Sequence, residues 1–320
     1  MTDLKRRRFL ATLGSGALAL AARAGRAGAA AGAGPRRMTL DLVCGAIGVK
    51  VPQREAVELA VAHGFESVGA QAADLEAMAP GELADLRAFM KAKGLAWGAA
   101  NLPVDFRKDD ETFRRTSEGL LAFAGTLKRA GVTRVGTWLS PGSDTLTYRQ
   151  NFAAVSTRLR ETAQVLEGEG GLRLGLEYVG PKTAWAARRY PFLHTLAETR
   201  ELVAEIGRPN VGIVLDSWHW FLAGDSAADL AVLRNEHVVA VDLNDAPAGL
   251  PKDQQVDNAR ELPLATGVIP VADFLRALLT MGYDGPVRAE PFNKALAERP
   301  KAEAVAVTAA AMKKAFALLG

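Results

Sequence analysis

Val211-Gly212-Ile213-Val214-Leu215-Asp216-Ser217-Trp218-His219 runs from an unbroken aliphatic segment straight into an acid, with an imidazole three residues further on. A run of β-branched and aliphatic residues without polar alternation reads as a strand buried on both faces, as in parallel sheets. Helices cover both faces of such sheets, so chemistry collects where the strands end. Asp216 is therefore a candidate ligand or catalyst. Three more apolar segments end the same way: Leu174-Gly175-Leu176-Glu177, Val239-Ala240-Val241-Asp242 and Val287-Arg288-Ala289-Glu290. One acid at a strand tip is ordinary; four in succession point to a shared site.

Working outward, the chain alternates strand and helix from Met38 onward. Strands are expected at Leu40–Ile47, Phe65–Ala70, Leu95–Leu102, Arg134–Leu139, Arg173–Tyr178, Asn210–Leu215, Val238–Leu243 and Gly285–Ala289. Between them lie helical patterns, among them Pro80–Lys93, closed by Gly94, and a single long helix over Glu111–Ala130, stopped by Gly131. Eight βα units in about 280 residues predict a (β/α)8 TIM barrel forming a single domain, residues 36–320. A doubly wound sheet would call for a glycine-rich phosphate loop after the first strand, and none is there.

Composition narrows the function. The formal charge of +3 owes much to the first 37 residues, where eight Lys and Arg face only Asp3, so the pI of 9.0 does not argue for nucleic acid. A lone cysteine, Cys44, excludes an internal disulfide and any multi-cysteine zinc site. Arg6-Arg7-Arg8-Phe9-Leu10, a weak apolar stretch to Ala22 and the small residues Ala27-Gly28-Ala29-Ala30-Ala31 follow the order of a twin-arginine signal peptide. Residues 1–35 are thus expected to engage the twin-arginine export machinery and send the protein to the periplasm or otherwise out of the cytoplasm. The apolar run is too short for a stable membrane span of about 20 residues.

Strand periodicity places the four acids inward, with Gly175, Val214, Ala240 and Arg288 one layer below. The small Gly175 and Ala240 leave room in which Arg288 can pair with one of the acids. Four converging carboxylates repel one another, and a divalent cation relieves the repulsion. Oxygen donors suit Mg²⁺ or Mn²⁺, and a nearby imidazole shifts the choice toward a transition metal. One Mn²⁺ is the first expectation, with Mg²⁺, Co²⁺ or Zn²⁺ as alternatives.

The segments Leu176-Glu177, Leu215 to His219, Asp242-Leu243-Asn244-Asp245 and Gly282-Tyr283-Asp284-Gly285 to Glu290, in that order, resemble the xylose isomerase-like TIM-barrel superfamily in its sugar phosphate isomerase/epimerase branch. The resemblance extends over Leu40 to Leu318. It implies that Glu177, Asp216 and Glu290 bind the metal, with the strand-seven residue as fourth ligand. That position usually holds His or Gln and here holds Asp242. The site is then either an all-carboxylate one, or Asp242 sits back and water fills its place. The resemblance also implies that His219 and Arg260 contact substrate. Lys182, Asn101 and Trp138 are candidates to line the pocket, with Trp185 and Trp218 as an apolar wall at the mouth.

These readings converge on a metal-dependent isomerase or epimerase for a sugar, keto-sugar or cyclitol, with Glu177 and Glu290 as the acid–base pair. A lyase or dehydratase working by β-elimination in the same site is the alternative, and a non-catalytic exported carbohydrate-binding barrel a third. A homo-oligomer is compatible with the sequence. A multi-zinc endonuclease of the same superfamily needs more histidines than the four in this chain.

Overall fold

The computed structural model describes residues 35–320. Eight parallel strands close into a barrel: β1 (Thr39–Leu42), β2 (Ser67–Ala70), β3 (Ala96–Asn101), β4 (Arg134–Trp138), β5 (Arg173–Glu177), β6 (Val211–Asp216), β7 (Val238–Asp242) and β8 (Pro286–Arg288), each hydrogen-bonded to the next and β8 to β1. The expected architecture and strand order are found. The core lies between the strands and the surrounding helices, with Leu174, Leu176, Ile213, Leu215 and Val241 buried. Among the described residues, no helix is long and apolar enough to cross a membrane. The twin-arginine motif and the small residues after it lie outside the described residues.

Two local expectations need correction. The first strand ends at Leu42, and Cys44–Ile47 forms a 3-10 turn closed by Gly48. The single helix expected over 111–130 is two helices, Asp110–Ser117 and Leu120–Ala130. Thr116 and Ser117 bond back to the carbonyls of Thr112 and Phe113, and Gly119 follows, so side-chain competition and a flexible residue break the run. After Asp216 the chain turns directly into a helix, Ser217–Ala223, which puts His219 on a buried helical turn.

Strand register aligns the charged residues. Asp41 is level with Arg288, Arg288 with Asp242, and Asp242 with Asp216, across four adjacent strands. Asp41 is also held against the backbone of β3. A Cβ on Gly98 would lie 2.5 Å from its Oδ1, so only glycine fits there.

The long segment after β7 is tied down by its first residues. Both oxygens of Asp245 accept backbone N–H bonds, from Thr266 at 2.9 Å, Gly267 at 2.7 Å and Ile269 at 3.0 Å. Asp245 and Glu261 exchange backbone hydrogen bonds at 2.8 and 2.9 Å. A polar loop of this length is thereby fixed, with Arg260 beside the barrel axis.

Candidate active site

Glu177 and Asp216 close their strands, Asp242 closes β7, and Glu290 follows β8 by two residues. All four are buried or nearly so, and each offers a carboxylate oxygen within 4.8 Å of the others. The four predicted ligands therefore meet at one end of the barrel. His219 can join Glu177 and Asp216 in a similar grouping, a geometry that the sequence reading reserved for substrate contact.

Each acid is held differently. Asp216 caps the following helix by accepting the Trp218 N–H at 2.6 Å, and takes further bonds from Asn244 and from Arg260 Nη1 at 2.8 Å. Asp242 accepts both Nε and Nη2 of Arg288, the latter at 3.0 Å. Glu290 lies between the two arginines, 2.9 Å from Arg288 and 3.2 Å from Arg260. Glu177 is the exception: its Oε1 is buried and has no hydrogen-bond partner. Its carboxyl is pushed well above the usual range, first by burial and then by the charge of Glu290. Asp216 is raised to about 7 by burial, although Arg260 opposes the shift. Glu290 is raised as well, chiefly by burial.

These residues fit a divalent cation. The four carboxylates and two guanidiniums carry a formal excess of two negative charges, and the unpartnered oxygen of Glu177 is an oxygen donor facing that excess.

The remaining predicted residues separate. Arg260 is almost fully buried and also binds Asp257 at 2.7 Å. His219 Nδ1 accepts the Gly180 N–H at 3.2 Å and Nε2 faces Arg260 Nη2 at 3.2 Å, two donors that oppose a cationic ring, with oxygens of Glu177, Asp216 and Asp257 lying 3.7–3.9 Å from Nε2. Burial and the neighbouring Arg260 hold its pKa well below the usual value, so it stays neutral. Asn101 and Trp138 line the cavity above the acids. Lys182 instead pairs with Asp253 at 2.6 Å, half exposed, and lines neither this cavity nor the adjoining one. Trp218 is fully buried and Trp185 stacks on His194, so neither forms the expected wall at the mouth.

Three contributors were not read from the sequence. Asp41 lines the same cavity, is 2% exposed, and leaves Oδ1 unpartnered. Its alternation with Leu40 and Leu42 inside a strand was the available signal. Arg107 stacks on Trp138 at 4.3 Å and donates to the Trp138 carbonyl at 2.9 Å. Phe292 covers Arg260 at 4.6 Å. Neither carries a pattern that a single sequence displays.

Comparison with known proteins gives the family. An L-ribulose 3-epimerase from Methylomonas sp. (strain DH-1) is 24% identical over 198 residues, 61% of this chain and 60% of that protein. An inosose isomerase from Bacillus velezensis is 25% identical over 276 residues, 82% of this chain and 93% of its own length. The chain spans less than two thirds of the epimerase it matches. Among solved structures, a xylose isomerase domain protein from Alicyclobacillus acidocaldarius superposes with a TM-score of 0.76 at 31% identity, covering 88% of this chain and 99% of the other. The IOLI protein with a bound zinc atom shares the fold, with a TM-score of 0.72 at 22% identity over 88% of this chain and 98% of its own. Residues 57–315 match the family described as xylose isomerase-like TIM barrel, and the chain belongs to that family.

Proposed function

We propose that the protein is a divalent-metal-dependent enzyme of the sugar isomerase/epimerase type, acting on a polyhydroxylated carbonyl compound such as a keto-sugar or cyclitol ketone. The observation that carries this reading is the unpartnered, buried Oε1 of Glu177 within a group of four strand-end acids. The names of the similar epimerase and isomerases support it. Glu177, Asp216, Asp242 and Glu290 would hold the ion, Mn²⁺ first among the candidates. When bound, such an ion supplies Lewis acidity at a carbonyl and its neighbouring hydroxyl.

The chain's own residues account for the rest. Glu177 Oε1, free of any competing donor, takes the proton from the carbon beside the carbonyl. Glu290, fixed by both arginines on a strand three positions round the barrel, delivers or receives a proton at the other side of the substrate. Arg260 is charged at every working pH, since its carboxylate neighbours raise an already high pKa, and it binds substrate oxygen. His219, a neutral acceptor 3.2 Å from Arg260 Nη2, orients that guanidinium without changing charge.

Removal of the same proton leads to elimination when a leaving group stands on the next carbon. A 3-dehydroshikimate dehydratase from Pseudomonas putida, 31% identical over 42% of this chain, keeps that second reading open. The amino-terminal twin-arginine pattern supports export, with scavenged sugars as substrates in place of intracellular sugar phosphates. The test is incubation of the Mn²⁺-loaded protein with ketohexoses, inososes and 3-keto-glycosides in D₂O, followed by NMR. Deuterium should appear at the carbon beside the carbonyl and stop when a chelator is added. No exchange into any of these compounds, with no bound metal, would remove the reading.

A further inference from the structure

Two cavities meet at the acids. The inner one, about 300 Å³, lies inside the barrel mouth; the outer one, about 640 Å³, opens beyond it. Glu177, Glu290 and Trp138 line both, so a single ligand can occupy the two together. Their chemistry differs. The inner cavity presents Asp41, Asn101, Arg107, Thr137 and Arg288, and the unpartnered oxygen of Asp41 awaits a donor such as a hydroxyl. The outer cavity is walled mainly by Trp138, Pro141, Val179, Ala184, Ala187 and Phe292.

Charges around the outer cavity are committed elsewhere. Arg188 pairs with Asp144 at 3.0 Å, Arg260 with Asp216, Glu290 and Asp257, and the Ser140 hydroxyl donates to the Gly142 carbonyl at 2.8 Å. Arg260 and the Asn258 side chain apart, what remains for a ligand is mainly apolar surface. Two large aromatic residues face it while substantially exposed, Trp138 at 47% and Phe292 at 44%. They come from β4 and from the segment after β8, half a barrel apart.

Phe292 adds a conformational argument. Its φ is 41°, in the left-handed region that bulky side chains avoid. The turn around it is held by the Arg260 N–H donating to the Pro291 carbonyl at 3.0 Å and by Asn293, which binds the Arg260 carbonyl at 3.1 Å. The strained backbone costs the free protein, and the ring, although it covers Arg260, stays 44% exposed. Both are accounted for if an apolar group packs against the ring.

We infer that the substrate is bipartite: a glycoside whose sugar occupies the inner cavity and whose apolar aglycone, aryl or alkyl, lies between Trp138 and Phe292 in the outer one. This rests on the proposed sugar-directed function and adds the class of substrate. Asp41 and Asn101 recognise sugar hydroxyls, and the outer cavity distinguishes substituted from free sugars.

Calorimetric titration of the metal-loaded full-length protein tests it, using matched methyl and phenyl glycosides of glucose, galactose and xylose with their 3-keto forms, and the corresponding disaccharides. For the sugars that bind, phenyl should bind about 10-fold tighter than methyl, as expected for burial of one aromatic ring. Ala184→Trp, which fills the outer cavity, should bring the phenyl-to-methyl ratio below about two-fold. Phe292→Gly should lower the same ratio without lowering Tm, because it removes the strained φ; a merely structural Phe292 would lower Tm instead. Equal affinities for phenyl and methyl, or a disaccharide preferred over the phenyl glycoside, would overturn the aglycone assignment and leave the sugar site standing. Failure of every glycoside to bind would overturn both.

Discussion

Arg288 grips Asp242 with two nitrogens, Nε on Oδ1 and Nη2 on Oδ2, at the strand-seven position where the family resemblance implied a histidine. The two residues are level on adjacent strands, β8 and β7. Small Ala240, two residues before Asp242, lines the same cavity as Arg288. Arg288 also binds Glu290 at 2.9 Å, so one cation orients two of the four acids.

Removing that cation should be costly. Arg288→Met leaves Asp242 buried without its ion pair and is expected to destabilise the fold by about 3–5 kcal/mol. The double variant Arg288→Met/Asp242→Leu should recover most of this loss. Urea unfolding of the three proteins checks it. A double variant no more stable than Arg288→Met would show that the ion pair is not the source of the cost.

The metal-free protein should lose stability as pH rises from about 5 to 7.5. Burial raises Asp41 to about 6 and Asp216 to about 7 in the folded state, above their values in the unfolded chain. The folded form therefore binds more protons in this window, and stability falls as pH climbs through the folded pKa values. The contribution is complete only below the ordinary carboxylate range. A divalent ion competes with those protons, so the holo-minus-apo difference in Tm should widen over the same window. Asp41→Asn should flatten the apo curve. Apo stability that rises across the window would contradict the burial argument.

Glu177→Gln and Glu290→Gln should each fold and lose turnover by ~10²–10⁴-fold, the usual contribution of a positioned proton-transfer group. The base variant should abolish deuterium exchange at the substrate carbon, whereas the acid variant should retain some. Glu177→Gln should also raise the Tm of the metal-free protein at pH 8, since it removes an unpartnered buried charge. Near wild-type turnover in both variants would transfer the role to another group, His219 first.

Asp245 touches no proposed ligand, yet its carboxylate anchors the loop bearing Arg260. Asp245→Ala strands several backbone donors and should destabilise by about 2 kcal/mol or more. Limited proteolysis should then cut within residues 247–259, and activity should fall at least 10-fold through displacement of Arg260. Unchanged protease resistance would argue that the rest of the loop holds itself.

Replacing Arg6 and Arg7 by lysine should retain the protein in the cytoplasm of the producing cell, because a twin-arginine signal is read at that pair. Fractionation and immunoblotting measure it, and undiminished export would remove the assignment.

Much of the barrel was legible because its signals are local. Apolar segments bounded by turns mark the strands, Gly94 and Gly131 stop their helices in the left-handed conformation, and a period of two sends Glu177, Asp216 and Asp242 inward. Four acids at successive strand ends are a one-dimensional pattern, and the barrel converts it into a cluster. The break at Gly119 and the turn at Cys44 were missed for the opposite reason: single residues outweigh a favourable average over the window, Thr116 and Ser117 by bonding back to the main chain and Gly48 by closing the turn onto the Cys44 and Gly45 carbonyls in the left-handed conformation.

The sequence by itself thus determined the fold and the four inward acids. Tertiary structure decided what those acids touch. Lys182 and Arg260 lie on equally polar loops, yet one pairs with Asp253 in solvent and the other is buried among three carboxylates. Trp218, beside a site residue in sequence, faces the core, and Asp41, far from every motif, faces the cavity. The physical reason is reach. A strand dictates the direction of its own side chains. Which long cation crosses to which acid depends on closure of β8 onto β1, and on where Asp245 pins a loop more than twenty residues long.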